Sequence, residues 1–291
     1  MYYLGFDIGA SAIKAVVMKN KKILRRDIFN TPRNLRGLLD AVAVIANKLR
    51  KEAGRDKLGG VGVAVAGVMD KPRAKMLISP NMRYLNGRPL ARLLAQKLKY
   101  PKVVLGHDVH CFLLAEKETG SAKNLKNVFY LTVGSGVGGA WMAEGRISSG
   151  AHGAAGEAGH MIMTFDKNKA LTLEDLASNK FIKYSLGVGF SEAFRRAKAG
   201  DWKAVEMFRD LGSNLGAGIA NIINIFDPAA VIIGGGLAEA KILFLPGIKK
   251  SVAKFVISPE ARRTKIIFSR LGRFGGAMGA ALLAERGGKM V

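Results

Sequence analysis

Residues 4–18 read LGFDIGASAIKAVVM, and residues 129–143 read FYLTVGSGVGGAWMA. Each is an apolar run, a tight turn of small residues and a returning apolar run, the pattern of two buried strands joined by a turn. Aligned, Asp7-Ile8-Gly9-Ala10-Ser11 lies over Thr132-Val133-Gly134-Ser135-Gly136. One supersecondary unit used twice predicts two similar domains. Outward from the first copy, Ile23–Phe29 reads as a third strand. Leu35, Leu38, Leu39, Val42, Ala46 and Leu49 then recur at helical spacing. Gly62–Ala66, a short helix around Leu90–Leu98 and a strand at Val103–Leu105 follow. Outward from the second copy, a helix is expected over Trp202–Phe226, capped by Asp201 and stopped by Asp227-Pro228. Strands at Ala230–Ile233 and Ile266–Ser269 and a closing helix at Met278–Glu285 complete a mixed α/β pattern.

Composition narrows the class. The 291 residues are 49% hydrophobic and 23% charged, a globular balance. The single cysteine, Cys111, excludes an intramolecular disulfide and any cysteine-cluster zinc or iron–sulfur site, and reads as a small buried apolar residue. The opening MYYLGFDIG lacks the basic and apolar segments of a signal peptide, and no apolar run reaches membrane-spanning length. A cytoplasmic protein with no membrane partner is the expectation. Lys and Arg number 46 against 22 Asp and Glu, a net charge of +24 concentrated in residues 1–100. Such a field attracts polyanions. The basic residues are dispersed and no nucleic-acid motif accompanies them, so nucleic acid is not the expected partner.

Gly134-Ser-Gly136-Val-Gly138-Gly139 matches G-x-G-x-x-G but runs on into a strand. A dinucleotide site needs a helix there, so the nicotinamide reading is rejected. Three Gly-rich turns at strand ends remain: around Gly9, at Gly134–Gly136 and at Gly234–Gly236. Glycine lets backbone N–H groups approach phosphate closely. Ser11, Thr132 and Ser135 can add hydroxyl donors, and Asp7 could hold Mg²⁺ through water.

DIGASAIKA resembles the first phosphate loop of the ROK family of sugar kinases and repressors, and LTVGSGVGGA resembles the second. AVIIGGGL is similar to the family's adenosine segment, GAAGEAGHM to its sugar-binding G-x-AGE-x-GH stretch, and LGHDVHCFLLAEKETG to its NDAN segment. The resemblance runs from about residue 3 to 285. It implies an actin-like, hexokinase-like fold of two ribonuclease H-like lobes, each a mixed β-sheet flanked by helices. The active site would lie in the interlobe cleft. The lobes would be 1–106, completed by the C-terminal helix at 276–291, and 107–275.

By the same resemblance, ATP would be held by Asp7, Gly9, Ser11, Thr132, Gly134, Ser135, Gly136, Gly234, Gly235 and Gly236, with Mg²⁺ at Asp7. Asp108 would be the catalytic base, although a helix N-cap would also explain it. The sugar would meet Asn81, His107, Glu157, His160 and Glu174. Thr172-Leu-Glu-Asp175 is also a capping box, in which Glu174 is only a first-turn acid. The implied activity is ATP- and Mg²⁺-dependent phosphorylation of a hexose or amino-hexose, with glucose as the default and a homodimer as the assembly. The rival readings are a non-catalytic sugar- or nucleotide-binding regulator and, among kinases, a polyphosphate-using glucokinase.

The chain departs from the family pattern in three places. His160 is followed by MIMTFDKNKALTLEDLAS with no cysteine, so the zinc ligands of zinc-bearing members are missing and no zinc is expected. His107 and His110 replace two asparagines, and Ala10 and Ala12 stand where Gly and Lys are usual. No helix-turn-helix precedes Tyr3, which favours the kinase branch.

Overall fold

In the computed structural model, which describes residues 1–54, 56–70 and 73–290, the chain opens with β1 (Tyr2–Ile8), β2 (Ala12–Lys19) and β3 (Lys22–Asn30). It continues through α1 (Leu35–Glu52), β4 (Leu58–Val65), β5 (Val68–Met69), β6 (Met76–Ile78), α2 (Leu90–Leu98), β7 (Val103–His107) and α3 (Asp108–Thr119). Next come β8 (Val128–Val133), β9 (Val137–Ala143), β10 (Arg146–Ser148), β11 (Ile162–Asp166), β12 (Lys169–Thr172), α4 (Leu173–Ala177), α5 (Asn179–Leu186) and α6 (Phe190–Lys198). The chain ends with α7 (Trp202–Phe226), β13 (Ala230–Gly234), α8 (Lys241–Phe255), β14 (Lys265–Phe268) and α9 (Gly275–Glu285).

The repeat read from the sequence is built as two sheets of the same design. Their strand orders are β3-β2-β1-β4-β7 and β10-β9-β8-β13-β14. In each, the first strand of the repeat pairs antiparallel with the second and parallel with a later strand. The molecule divides into two compact units. One is Met1–Asn124, Gly145–Ala155 and the chain from Leu271 onward; the other is Leu125–Glu144 and Gly156–Arg270.

In the first unit β1 is central and almost wholly buried, while the edge strand β3 is largely exposed and charged. α1 buries Leu38, Val42, Ala46 and Leu49 of the face expected from its spacing, adds Ile45 and leaves Leu35 and Leu39 half-buried, and Asn34 caps it by accepting from Gly37 N at 2.8 Å. α9 lies directly on β1 and β4 because Gly5 and Gly62 leave no side chain there. A Cβ on either would overlap the α9 backbone at Ala277 or Ala280. This helix begins at Gly275, one turn earlier than the apolar run at Met278 indicated, because its first turn is made of small residues.

In the second unit α7 buries Phe208, Leu211, Leu215, Ile219 and Ile222 at helical spacing, with Asp201 accepting from Lys203 N and Ala204 N at its start. Gly212 and Gly216 let α8 approach its backbone closely. The short elements β5, β6, β11, β12 and α4–α6 carry too few periodic residues to be read from sequence. No helix among the described residues is long and apolar enough to cross a membrane.

Candidate active site

The first Gly-rich turn joins β1 to β2. Gly9 N donates to Ala12 O at 3.0 Å, and Thr31 ties the turn down by donating to Gly9 O and Ser11 O. Ala10 and Ser11 are exposed at its tip. The β1–β2 register sets Lys14 opposite Asp7, and Lys14 Nζ lies 3.0 Å from Asp7 Oδ2. Asp7 is only 5% exposed. Burial pushes its carboxyl above the usual range, the Lys14 charge pulls it back, and the charge of Asp108 adds to the rise. Lys14 was not singled out from the sequence. The signal was available, because positions 7 and 14 face each other across a hairpin turning at Gly9–Ser11.

β7 delivers His107 and Asp108 to the start of α3. The N-cap is His107, and Asp108 is the first helical residue, which corrects the alternative reading of Asp108 as the cap. Asp108 Oδ1 accepts from Val109 N at 2.9 Å and lies 3.3 Å from His107 Nδ1. Its side chain is 27% exposed, so one face of the carboxylate reaches solvent. The His107 and His110 rings stand 5.1 Å apart. His110 is buried, and that burial, with His107 beside it, drops its pKa to about 3, so it is neutral at pH 7. Asn81 is exposed in the loop after β6. Asp7, Gly9, Ser11, Asn81, His107 and Asp108 thus all belong to the first unit.

The other expected residues belong to the second unit. β8 and β13 run parallel with Thr132 opposite Gly234, so the turn Gly134–Gly136 and the turn Gly234–Gly236 stand side by side. Gly235 has φ +90°, and a Cβ there would overlap the Val133 backbone, so glycine is required. Gly134 N donates to Gly136 O at 2.8 Å, and Gly134 O accepts from Asn179 N at 2.9 Å. These fixed, closely spaced backbone turns can receive phosphate oxygens.

Glu157 and His160 flank the buried pair Ala158–Gly159, which packs on β9, and both are exposed. Gly156 and Gly159 press their backbone against Gly139 and Val137. Glu174 sits in the first turn of α4, whose capping box by Thr172 and Asp175 is present as expected. Its Oε2 accepts from Val137 N at 3.0 Å and its Oε1 from Lys180 Nζ at 2.6 Å. Glu174 therefore braces the second Gly-rich turn, a role that sequence reasoning did not assign to it.

The ROK family model matches residues 3–287. The chain belongs to the ROK family. Among its ROK relatives, the glucokinase of Streptomyces coelicolor is 29% identical over 97% of each chain. The N-acetyl-D-glucosamine kinase of Photobacterium profundum is 31% identical over 97% of this chain and 99% of its own. The crystal structure of a ROK glucokinase from Streptomyces griseus, in complex with glucose and AMPPNP, superposes with a TM-score of 0.85 at 28% identity. It covers 98% of this chain and 100% of the Streptomyces chain. The family assignment and the mixed α/β fold of two five-stranded sheets therefore agree with the sequence reading.

Proposed function

We infer that this ROK chain is a sugar kinase, and we propose that it transfers the γ-phosphoryl group of ATP to a hydroxyl of a hexose or amino-hexose. The observation that carries the reading is Asp108, a partly exposed carboxylate fixed at the start of α3 by Val109 N. The relatives support it: two are named as sugar kinases, and one structure holds glucose with an ATP analogue.

Asp108 accepts the proton of the attacking hydroxyl as its oxygen bonds to the γ-phosphorus, and the bond from that phosphorus to the β-phosphate oxygen breaks. The products are the phosphosugar and ADP, with the proton passing from Asp108 to solvent. His107, Asn81, Glu157 and His160 hydrogen-bond the sugar hydroxyls, and Glu174 acts by holding the second Gly-rich turn. The Gly9 and Gly134 N–H groups are spent on holding their turns, and the other N–H groups of these turns and of Gly234–Gly236 receive nucleotide phosphates. A buried aspartate that already balances a lysine is a hard oxygen donor of the kind Mg²⁺ takes alongside phosphate oxygens and water. Asp7 would hold Mg²⁺ in that way, and the ion would neutralise charge on the phosphates.

Glucose is the first acceptor to test, in the cytoplasm and as a homodimer. The test is a panel of hexoses and amino-hexoses with ATP and Mg²⁺, read by coupled ADP detection, with light scattering for the assembly. Turnover on at least one sugar is expected. Nucleotide binding with no turnover on any sugar would instead favour a regulator.

A further inference from the structure

The first unit contains a cavity of about 210 Å³, with Gly67, Asp70, Arg73, His107, His110 and Ser149 among the residues that line it. None of the nucleotide-binding roles proposed above uses it. Of its walls only His107 belongs to the proposed sugar site, and His107 adjoins Asp108. The cavity is therefore next to the proposed base but extends away from it.

Its charged groups are unequal. Asp70 is occupied: its Oδ1 accepts from Ala74 N at 2.8 Å and Lys75 N at 3.1 Å, closing a local turn. His110 is neutral and buried. Arg73 is the permanent cation of the wall. One end of its guanidinium is anchored, Nη2 donating to Gly288 O. The other end, Nη1, is buried with no acceptor among the described residues. A buried cationic N–H without an acceptor is costly, and an anion in the cavity recovers the loss when the guanidinium turns Nη1, closed to solvent in this structure, toward it. Arg73 also holds φ at +53°, a left-handed conformation that a non-glycine residue adopts at a cost. Ser149 and the neutral His110 imidazole supply further hydrogen-bonding groups, and His107 lines the same wall.

We propose that this cavity is a binding site for a compact oxyanion, a carboxylate or phosphate held by Arg73 with His110 and Ser149. Two sources share that chemistry. One is an anionic substituent on the acceptor sugar, which would make the substrate a sugar acid or sugar phosphate; this source rests on the kinase reading above. The other is a free anion acting as an effector, which does not.

The test uses the full chain and three probes. The first is inorganic phosphate, read by thermal unfolding at constant ionic strength. The second and third are matched acceptor pairs that keep the 6-hydroxyl free: glucose against glucose 1-phosphate, and N-acetylglucosamine against its 3-O-lactyl ether. Phosphate at about 100 times its dissociation constant should raise Tm by at least about 2 °C. That shift should vanish in Arg73→Gln and persist in part in Arg73→Lys. His110→Leu, which leaves the anchor to Gly288 untouched, should weaken it as well, so the answer does not depend on the glutamine variant folding.

If the anion belongs to the acceptor, the anionic member of a pair will show at least about tenfold higher kcat/KM, and Arg73→Gln will erase that ratio. If it is a free effector, the phosphate shift will depend on Arg73 with no preference within the pairs. An Arg73-dependent phosphate shift with no turnover on any sugar would keep the site and overturn the kinase reading. A phosphate response indifferent to both Arg73 variants and to His110→Leu, together with preference for the neutral sugars, would overturn the proposal.

Discussion

Asp7 and Lys14 form a pair in which one partner is nearly buried and the other is 27% exposed at its side chain. Removing the lysine leaves a desolvated carboxylate without its cation, and breaking a buried pair from one side costs about 3 kcal/mol. Lys14→Met should therefore lower unfolding free energy in urea by about that amount, and adding Asp7→Asn should recover part of the loss. Strict additivity of the two changes would show that the ion pair is not what stabilises the first turn. Asp108→Asn keeps the side chain's shape and can still accept from Val109 N, but it cannot take a proton. It should lower kcat by at least about 10² while nucleotide binding survives. Retention of more than half the rate would remove Asp108 from the mechanism. His110 gives a pH signature. Its folded pKa of about 3 lies below the ordinary histidine value of 6.5, so the unfolded chain takes up a proton that the folded chain refuses. Stability from this group is complete above pH 6.5 and declines as pH falls from there toward 3. His110→Asn should flatten that part of a Tm-against-pH curve, and an unchanged slope would assign the acid sensitivity elsewhere. Residues of this kind differ in how well the sequence announces them. Asp108 stood in a motif and Lys14 opposed Asp7 across a legible hairpin. Arg73 lies in an irregular loop, and nothing in MDKPRAK marks it as reaching a cavity wall.

At the scale of elements, the glycines of β1 and β4 decide how closely α9 can pack. A Cβ at Gly62 would sit inside the Ala280 carbonyl, so backbone rather than a flexible side chain must move. Gly62→Ala should destabilise by about 3 kcal/mol, the upper range for overpacking. Gly189→Ala, at a position with open space and no left-handed backbone, should cost no more than about 1 kcal/mol, the loss from putting alanine at the N-cap of α6. Equal effects at the two sites, measured by urea unfolding, would refute the close-approach argument. The same comparison explains what was readable. The strand-turn-strand repeat and α7 show themselves through long apolar periodicity, and α7 also through its cap, Asp201. The start of α9 was hidden because glycine and alanine bury a face without adding hydrophobic period. α4–α6 and the β11–β12 hairpin are short, and the exposed Ile162, Phe165 and Tyr184 break the apolar-in, polar-out pattern, so tertiary packing rather than local pattern selects them. Glu174 was visible as a first-turn acid, but its bond to Val137 N depends on two segments 37 residues apart and cannot be read from either alone.

The whole molecule carries a charge of +24, and this bears on the phosphoryl donor. A polyanion such as polyphosphate would be drawn to such a surface through many weak contacts, each releasing a counterion, so its affinity should fall steeply with salt. ATP offers only a few charges, and in the proposed mechanism its recognition would rest on the fixed turns beside β8 and β13 rather than on the net charge. Several of the basic residues are already paired with carboxylates, at Asp56, Glu118, Asp27, Asp40 and Glu192, and the basic residues are dispersed along the sequence rather than gathered in runs. A dispersed field raises the local concentration of any anion but does not align a chain of phosphates on Asp108. ATP is therefore the expected main donor, with polyphosphate used weakly and only at low ionic strength. Parallel assays with ATP and with polyphosphate, each at low and high salt and with the same sugar, test this. ATP turnover should change by less than about threefold across a range in which polyphosphate turnover falls at least about tenfold. Polyphosphate turnover above that of ATP, collapsing as salt rises, would reverse the ranking and give the net charge a direct role in donor choice.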